Sequence, residues 1–210
     1  MKKYIAEFIG TFFLVFTVGT CVVNGTPGVI APLAIGSILM VMVFAGGHIS
    51  GGHFNPAVTV AVFLRGRMSA LDVPGYFVAQ LVGGVVAAGL TYYLKGAPAP
   101  DTAVSVYTLG QMLLAEFIFT FALAYVVLNV ATAKANAGNS FYGLAIGFTV
   151  MCGAFAVGPI SGGVFNPAVA TGLFSLGMLP VAKYLSYAAI ELVAGAVAAL
   201  VFKTLNTDDK

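Results

Sequence analysis

A ten-residue phrase occurs twice in this chain: Ile49-Ser50-Gly51-Gly52-His53-Phe54-Asn55-Pro56-Ala57-Val58 returns, with one residue changed, as Ile160-Ser161-Gly162-Gly163-Val164-Phe165-Asn166-Pro167-Ala168-Val169. A repeat of that length at an offset of 111 residues is an internal duplication. The echo extends further: Ala6-Glu7-Phe8-Ile9-Gly10-Thr11-Phe12 matches Ala115-Glu116-Phe117-Ile118-Phe119-Thr120-Phe121, and Gln80-Leu81-Val82-Gly83-Gly84-Val85 matches Glu191-Leu192-Val193-Ala194-Gly195-Ala196. In both signatures an apolar run breaks at glycine and restarts at proline. Paired interruptions in the two halves of a membrane protein point to a transport site near the bilayer midplane.

The solvent of the fold follows from composition, since 60% apolar and 8% charged residues leave too little charge to cover a water-facing surface. Windows of about 20 apolar residues place spans near 4–24, 30–49, 73–94, 107–130, 138–157 and 180–204. The first is long and lacks a small-residue cleavage site, so it reads as a retained helix and not as a removed signal peptide. Each half holds three spans. Three is odd, so the second half enters the membrane upside down relative to the first. The expectation is an all-α membrane protein of six transmembrane helices and two re-entrant half-helices, one domain over residues 1–210 with repeats at about 1–98 and 105–210.

Basic residues set the orientation, because short cytoplasmic loops carry the excess of Lys and Arg. Lys2, Lys3, Arg65, Arg67, Lys134, Lys203 and Lys210 share one side, with Lys95 and Lys183 on the other, so both termini are expected in the cytoplasm. The absence of a targeting segment and the short loops suggest a prokaryotic inner membrane. Cys21 and Cys152 fall inside spans, which argues against a disulfide framework. No basic patch suggests nucleic acid. No phosphate loop or Ser-His-Asp constellation suggests an enzyme, and no cofactor is implied. His48 and His53, five residues apart without Cys or clustered carboxylates, make a poor metal site, although titration near neutrality offers a gate.

The segments from Asn55 to about Leu64 and from Asn166 to about Phe174 are apolar but half the length of a span. Asn is a preferred N-cap and Pro suits the first helical position, so each Asn-Pro-Ala starts a half-helix where the chain has dipped into the bilayer. Arg65-Gly66-Arg67 marks the end of the first, with cations at the negative end of the dipole. Non-helical backbone at that depth must be buried in protein or line a water-filled cavity. If each Asn oxygen caps its own helix, its NH2 group is left for the lumen, and Asn55 and Asn166 form a donor pair. Two half-helix N-termini bring partial positive charge to the same spot, which opposes cations. Carbonyls of Gly51, Gly52, His53, Gly162 and Gly163 supply a ladder of acceptors. Such a path suits water and small neutral solutes.

Two Asn-Pro-Ala boxes in an inverted six-span duplication resemble the major intrinsic protein family, the aquaporins and aquaglyceroporins, over essentially the whole chain. The resemblance implies a homotetramer in the lipid bilayer with one pore per subunit, and a selectivity filter at Ile35, Ala154, Gly163 and Val169. Strict water channels of the family carry Arg directly after the second box, where this chain has Val169. The filter should then be wider and less polar than a water-selective one. Glycerol facilitators would be similar if an Asp followed soon after that box, but Ala170 and Thr171 follow. A Val at this position is similar to some plant tonoplast members that look permissive to urea or hydrogen peroxide. The solutes left open are water with other small neutral solutes, or mainly urea, hydrogen peroxide, ammonia or glycerol.

Intramembrane carboxylates are functional candidates by default. Glu7 and Glu116 occupy equivalent repeat positions and are expected to accept hydrogen bonds from the loop amides that lead into the half-helices, a structural role. Glu191 stands at the place of Gln80 and has no role the resemblance supplies. Cys152, two residues before Ala154, could approach the pore or simply pack. Gly46-Gly47, Gly83-Gly84 and Gly195 are expected to permit close helix crossings. Two rival classes remain: a secondary transporter, disfavoured by the absence of an ion-coupling carboxylate at the breaks, and a low-flux junctional protein, disfavoured by the short loops Gly25 to Val29 and Gly96 to Asp101.

Overall fold

The computed structural model describes residues 1–25, 30–99 and 106–209. The loops Gly25 to Val29 and Gly96 to Asp101 lie partly outside the described residues, as do the expected start of the second repeat at 105 and the charge of Lys210. Among the described residues eight α-helices follow in order: α1 (Lys2–Val22), α2 (Ile30–Ser50), α3 (Pro56–Leu64), α4 (Val73–Lys95), α5 (Leu109–Val127), α6 (Tyr142–Ser161), α7 (Pro167–Ser175) and α8 (Val181–Leu205). A π-type turn, Leu128–Thr132, prolongs α5. Six of the helices are long and apolar enough to cross a membrane. Their outward faces carry bare leucines such as Leu114 and Leu200, 60% and 61% exposed, as helices solvated by hydrocarbon should.

Local chemistry explains the boundaries. At the head of α5, Thr108 Oγ1 accepts from the Gln111 N–H at 3.3 Å while Gln111 Oε1 accepts from the Thr108 N–H at 2.8 Å, a capping box. The fifth span differs from the expected 138–157. Asn139 donates through Nδ2 to the carbonyls of Val130 and Asn136, at 2.7 and 2.6 Å, and this turn delays the helix to Tyr142. At the other end Pro159 sits in the last turn, where it removes a single helical bond. The helix runs on to Ser161 and closes with Gly162 in the left-handed region at φ 101°, its N–H donating to Gly158 O at 2.9 Å.

The repeats pack alike: α1 lies against α4 as α5 lies against α8, and α2 crosses α6 on the axis between halves. Each half-helix, however, is held by the long helices of the other half. Gly84 of α4 abuts the Ala168 carbonyl at the start of α7, and its equivalent Gly195 of α8 abuts the Ala57 carbonyl at the start of α3. A side chain at either would keep the backbones apart. Both termini lie at the same end. Lys3 Nζ pairs with Asp72 at 2.7 Å, and Asp209 pairs with Arg65 at 2.8 Å and Arg67 at 3.1 Å.

Candidate functional site

The half-helices meet at their N-termini. Asn55 Oδ1 accepts from the Ala57 N–H at 2.8 Å and Asn166 Oδ1 from the Ala168 N–H at 2.9 Å, with Pro56 and Pro167 at the first helical positions. The amide ends are crossed. Asn55 Nδ2 donates to the Phe165 carbonyl and Asn166 Nδ2 to the Phe54 carbonyl, each at 2.9 Å. Sequence reasoning left both N–H groups of each Asn for the lumen; one of each is consumed across the repeat junction, leaving one.

The acceptors are presented by unusual backbone. Phe54 and Phe165 have φ of 48° and 51°, a region bulky residues rarely enter. Both rings are 1% exposed. The Phe54 ring fills the space that a side chain on Gly10 would occupy, and Phe165 packs against Phe119 at a tilt of 36° with centroids 5.5 Å apart. Ring burial therefore holds a conformation that the backbone alone disfavours.

Behind the loops stand the carboxylates. Glu7 Oε1 accepts from the Ser50 hydroxyl at 2.6 Å and the His53 N–H at 3.0 Å, and Oε2 from the Phe54 N–H at 2.7 Å and Gln80 Nε2 at 2.8 Å. Gln80 Nε2 also reaches Thr59 Oγ1 at 2.9 Å, and Thr59 Oγ1 lies 3.1 Å from His53 Nδ1. In the second half Glu116 accepts from the Val164 N–H at 3.0 Å and the Phe165 N–H at 2.7 Å. Tyr76 and Tyr187 repeat one contact, each hydroxyl donating at 2.6 Å to the carbonyl of Ser50 or Ser161.

Two cavities open from this junction, of about 700 Å³ and about 820 Å³. His53 and Val127 line both. Asn55 and Asn166 line the first, as do all four residues at the filter positions, Ile35, Ala154, Gly163 and Val169. The missing side chain of Gly163 would stand 3.3 Å from Ala154 Cα, so these two touch. Gly162 lines the first cavity and Gly51 the second, while Gly52 is buried and lines neither. Pro56, Ala57, Pro167 and Ala168 are buried behind the Asn pair. His48 is exposed and lines the second cavity, whereas Cys152 is exposed and faces neither.

The aliphatic wall of the first cavity extends beyond Ile35 and Val169, the two members that the filter positions already name. Its members come in repeat pairs: Leu14 with Leu123 and Val18 with Val127 at the 109-residue offset of Glu7 and Glu116, then Ile35 with Ile146, Leu39 with Val150 and Val58 with Val169 at 111. Among the described residues Lys183 is the one Lys or Arg in this lining. The second cavity is charged at its rim, where Arg67, Asp72 and Lys134 stand. Asp209 accepts from the Lys134 backbone N–H at 2.7 Å, and this bond, with Arg65 and Arg67, holds its carboxyl below the usual range. The hydrogen bonds from Lys3 and Tyr4 do the same for Asp72.

Inverted three-span halves, each contributing a capped half-helix to one buried junction, define an integral, multi-pass membrane protein of the aquaporin-like fold. A family model described as "Major intrinsic protein" matches residues 1–159 and 142–209, and the chain belongs to that family. It is 41% identical over 180 residues to a probable aquaporin NIP-type of Nicotiana alata, covering 82% of this chain and 66% of that protein. It is 38% identical over 182 residues to Nodulin-26 of Glycine max, covering 82% and 66%. To the glycerol uptake facilitator protein-like 6 of Lactiplantibacillus plantarum it is 38% identical over 183 residues, covering 82% of each. The chain thus spans a little under two thirds of the length of these plant relatives. The aquaglyceroporin of Plasmodium falciparum shares the fold, with a TM-score of 0.78 at 23% identity over 98% of this chain and 94% of that one.

Proposed function

We propose that this protein is a passive channel for water and other small uncharged solutes, with the filter at Ile35, Ala154, Gly163 and Val169. The observation that carries the reading is the Asn55–Asn166 junction: at the positive ends of two half-helices each amide keeps one N–H beyond its bond to the opposite Phe carbonyl, and both Asn residues line the first cavity, which shares His53 and Val127 with the second. A permeating molecule there must accept hydrogen bonds, and a cation meets two opposing dipole ends. Selection by size falls to side chains that are small and aliphatic, so the pore admits solutes bulkier than water. The carbonyls of Gly51, Gly52, His53, Gly162 and Gly163 serve as acceptors along the path. The names of the relatives, several aquaporins and one glycerol uptake facilitator, agree with this solute class.

The working form on this reading is a homotetramer in the lipid bilayer of a prokaryotic cell, with both termini cytoplasmic, no cofactor and no catalysis. The test is stopped-flow light scattering on proteoliposomes, comparing water, glycerol, urea and hydrogen peroxide for the wild type and Val169→Arg. Water flux should stay high in both while flux of the larger solutes collapses in the variant. Wild-type vesicles no leakier than empty ones would overturn the channel reading, and unchanged urea, glycerol and peroxide flux in the variant would overturn the filter assignment.

A further inference from the structure

The two loop buttresses differ at one residue. In the first half the carboxylate Glu7 is held by a donor, Gln80 Nε2, at 2.8 Å. In the second half the place of Gln80 is taken by Glu191, and its carboxyl faces that of Glu116. Both residues are fully buried. Neither Glu191 oxygen has a hydrogen-bond partner. One of these orphans has a counterpart in Gln80 Oε1, which is also unpartnered; the other corresponds to the Nε2 donor. Two of the first half's other polar members are missing too, since Ala170 stands for Thr59 and Val164 for His53, while Ser161 and Tyr187 keep the places of Ser50 and Tyr76.

Among the described residues no cation neutralises the pair. Of the elements packed on α8, α5 contributes Glu116 and, nine residues further on and about 14 Å along the axis, Tyr125, while α3, α7 and the turn Leu128–Thr132 carry no titratable residue. On α8 itself Tyr187 faces both carboxyls, but its hydroxyl is already donated to the Ser161 carbonyl at 2.6 Å. The Ser161 hydroxyl and the Asn166 backbone N–H approach Glu116 and Glu191 respectively; neither supplies a charge. Lys183 is eight residues back along the helix, about 12 Å of rise, and its Nζ lies 5.2 Å from the Tyr187 ring centre. Arg65 stacks on Phe202, eleven residues on and about 16 Å away in the other direction. Two facing carboxylates with no cation beside them, and with no hydrogen-bond partner on either Glu191 oxygen, cannot both stay ionised in a buried site.

We propose that Glu116 and Glu191 form a proton-binding site, in which Glu191 is a neutral carboxylic acid whose O–H donates to the Glu116 carboxylate, so that Glu191 acts as a protonated substitute for Gln80. Glu191 is a positioning residue: it holds Glu116, which holds the Val164 and Phe165 amides, which place Asn166 and the Phe165 carbonyl. The proton ties the geometry of the second loop to pH. Its loss to solvent at alkaline pH leaves two like charges behind that loop and pushes Glu116 off its amides. The first loop, built on a Gln, has no such sensitivity.

Infrared difference spectroscopy on the full-length protein in vesicles tests the assignment. The wild type at neutral pH should show a protonated-carboxyl C=O stretch that shifts in heavy water and disappears at alkaline pH; Glu191→Gln should lack it. Absence of that band from the wild type, or its persistence in Glu191→Gln, overturns the proposal without reference to transport. The second readout rests on the channel reading: wild-type water permeability should fall several-fold toward alkaline pH, whereas Glu191→Gln should match the wild type at neutral pH and stay flat. Identical pH profiles would also overturn it. Wild-type vesicles with no flux at any pH would instead refute the channel reading and leave the infrared result to decide the proton.

Discussion

Gly195 offers the sharpest mechanical test of how the half-helices are held. A Cβ on Gly84 would stand 2.7 Å from the Ala168 carbonyl oxygen, and one on Gly195 closer still to the Ala57 carbonyl oxygen. A carbon touching a carbonyl oxygen rests at about 3.3–3.6 Å. Alanine at Gly84 therefore forces α4 and α7 apart by about 0.6 Å, and alanine at Gly195 opens α8 and α3 further. Overpacking of this kind costs about 1–3 kcal/mol. Gly89 is the control, because nothing lies within 4 Å of its missing side chain. Alanine there gains the same helix propensity, about 1 kcal/mol, so the propensity cancels when variants are compared. Gly195→Ala should unfold about 1–3 kcal/mol more easily than Gly89→Ala, with Gly84→Ala between them, in denaturant titrations of micellar protein followed by circular dichroism. Because the Ala57 N–H is the group that Asn55 caps, water permeability should fall with stability in Gly195→Ala and stay unchanged in Gly89→Ala. The reasoning fails if the Gly195 and Gly89 variants unfold within about 0.5 kcal/mol of each other.

Glu7→Ala strips the partners from two buried amides, His53 N–H and Phe54 N–H, at about 1–3 kcal/mol each; flux should be lost, and a Glu7→Ala protein as stable and as permeable as the wild type would contradict the buttress. Asn166→Ala removes a cap worth about 1 kcal/mol together with the bond to Phe54 O, and should destabilise more than Ser175→Ala, measured side by side in the same titration. The carboxyl of Asp209, held low mainly by the Lys134 N–H, stabilises the clamp at pH above the ordinary carboxylate range and releases it as the pH falls through the lowered folded value. Hydrogen exchange of residues 134–139 should therefore rise on acidification in the wild type and be high at every pH in Asp209→Asn; equal exchange in the two proteins at neutral pH would dismiss the clamp.

The duplication and the half-helix starts were legible because their chemistry is local: Asn, Pro and the glycine pairs act on the residues next to them. The fate of the second Asn N–H was not, since its acceptor is a carbonyl more than a hundred residues away whose direction depends on the left-handed backbone of Phe54 or Phe165. α6 runs past the expected end at 157 to Ser161, because Pro159 in the last turn costs one bond and does not stop the helix. The rest of the cavity wall was not legible because Leu14, Ile146 and Val150 are as apolar as the leucines that face lipid, and lipid-facing residues such as Ile5 and Leu114 fall in repeat pairs as well. Asp209 could not be matched to Arg65 and Lys134 from the sequence, since nothing local joins residues so far apart.

The crossed Asn–Phe bonds bear on biogenesis. As the chain leaves the ribosome, the first half can insert its three spans and cap α3, yet Asn55 still has a donor without a recipient and Phe54 a carbonyl without a donor. Both are met only when residues 165 and 166 arrive. The junction thus closes only when both repeats are present: a chain truncated between them leaves the Asn55 donor and the Phe54 carbonyl unmatched at the start of α3. The same dependence describes the route by which such a gene could arise, since a half-length ancestor would have needed a second copy inserted in the opposite sense before either junction could close.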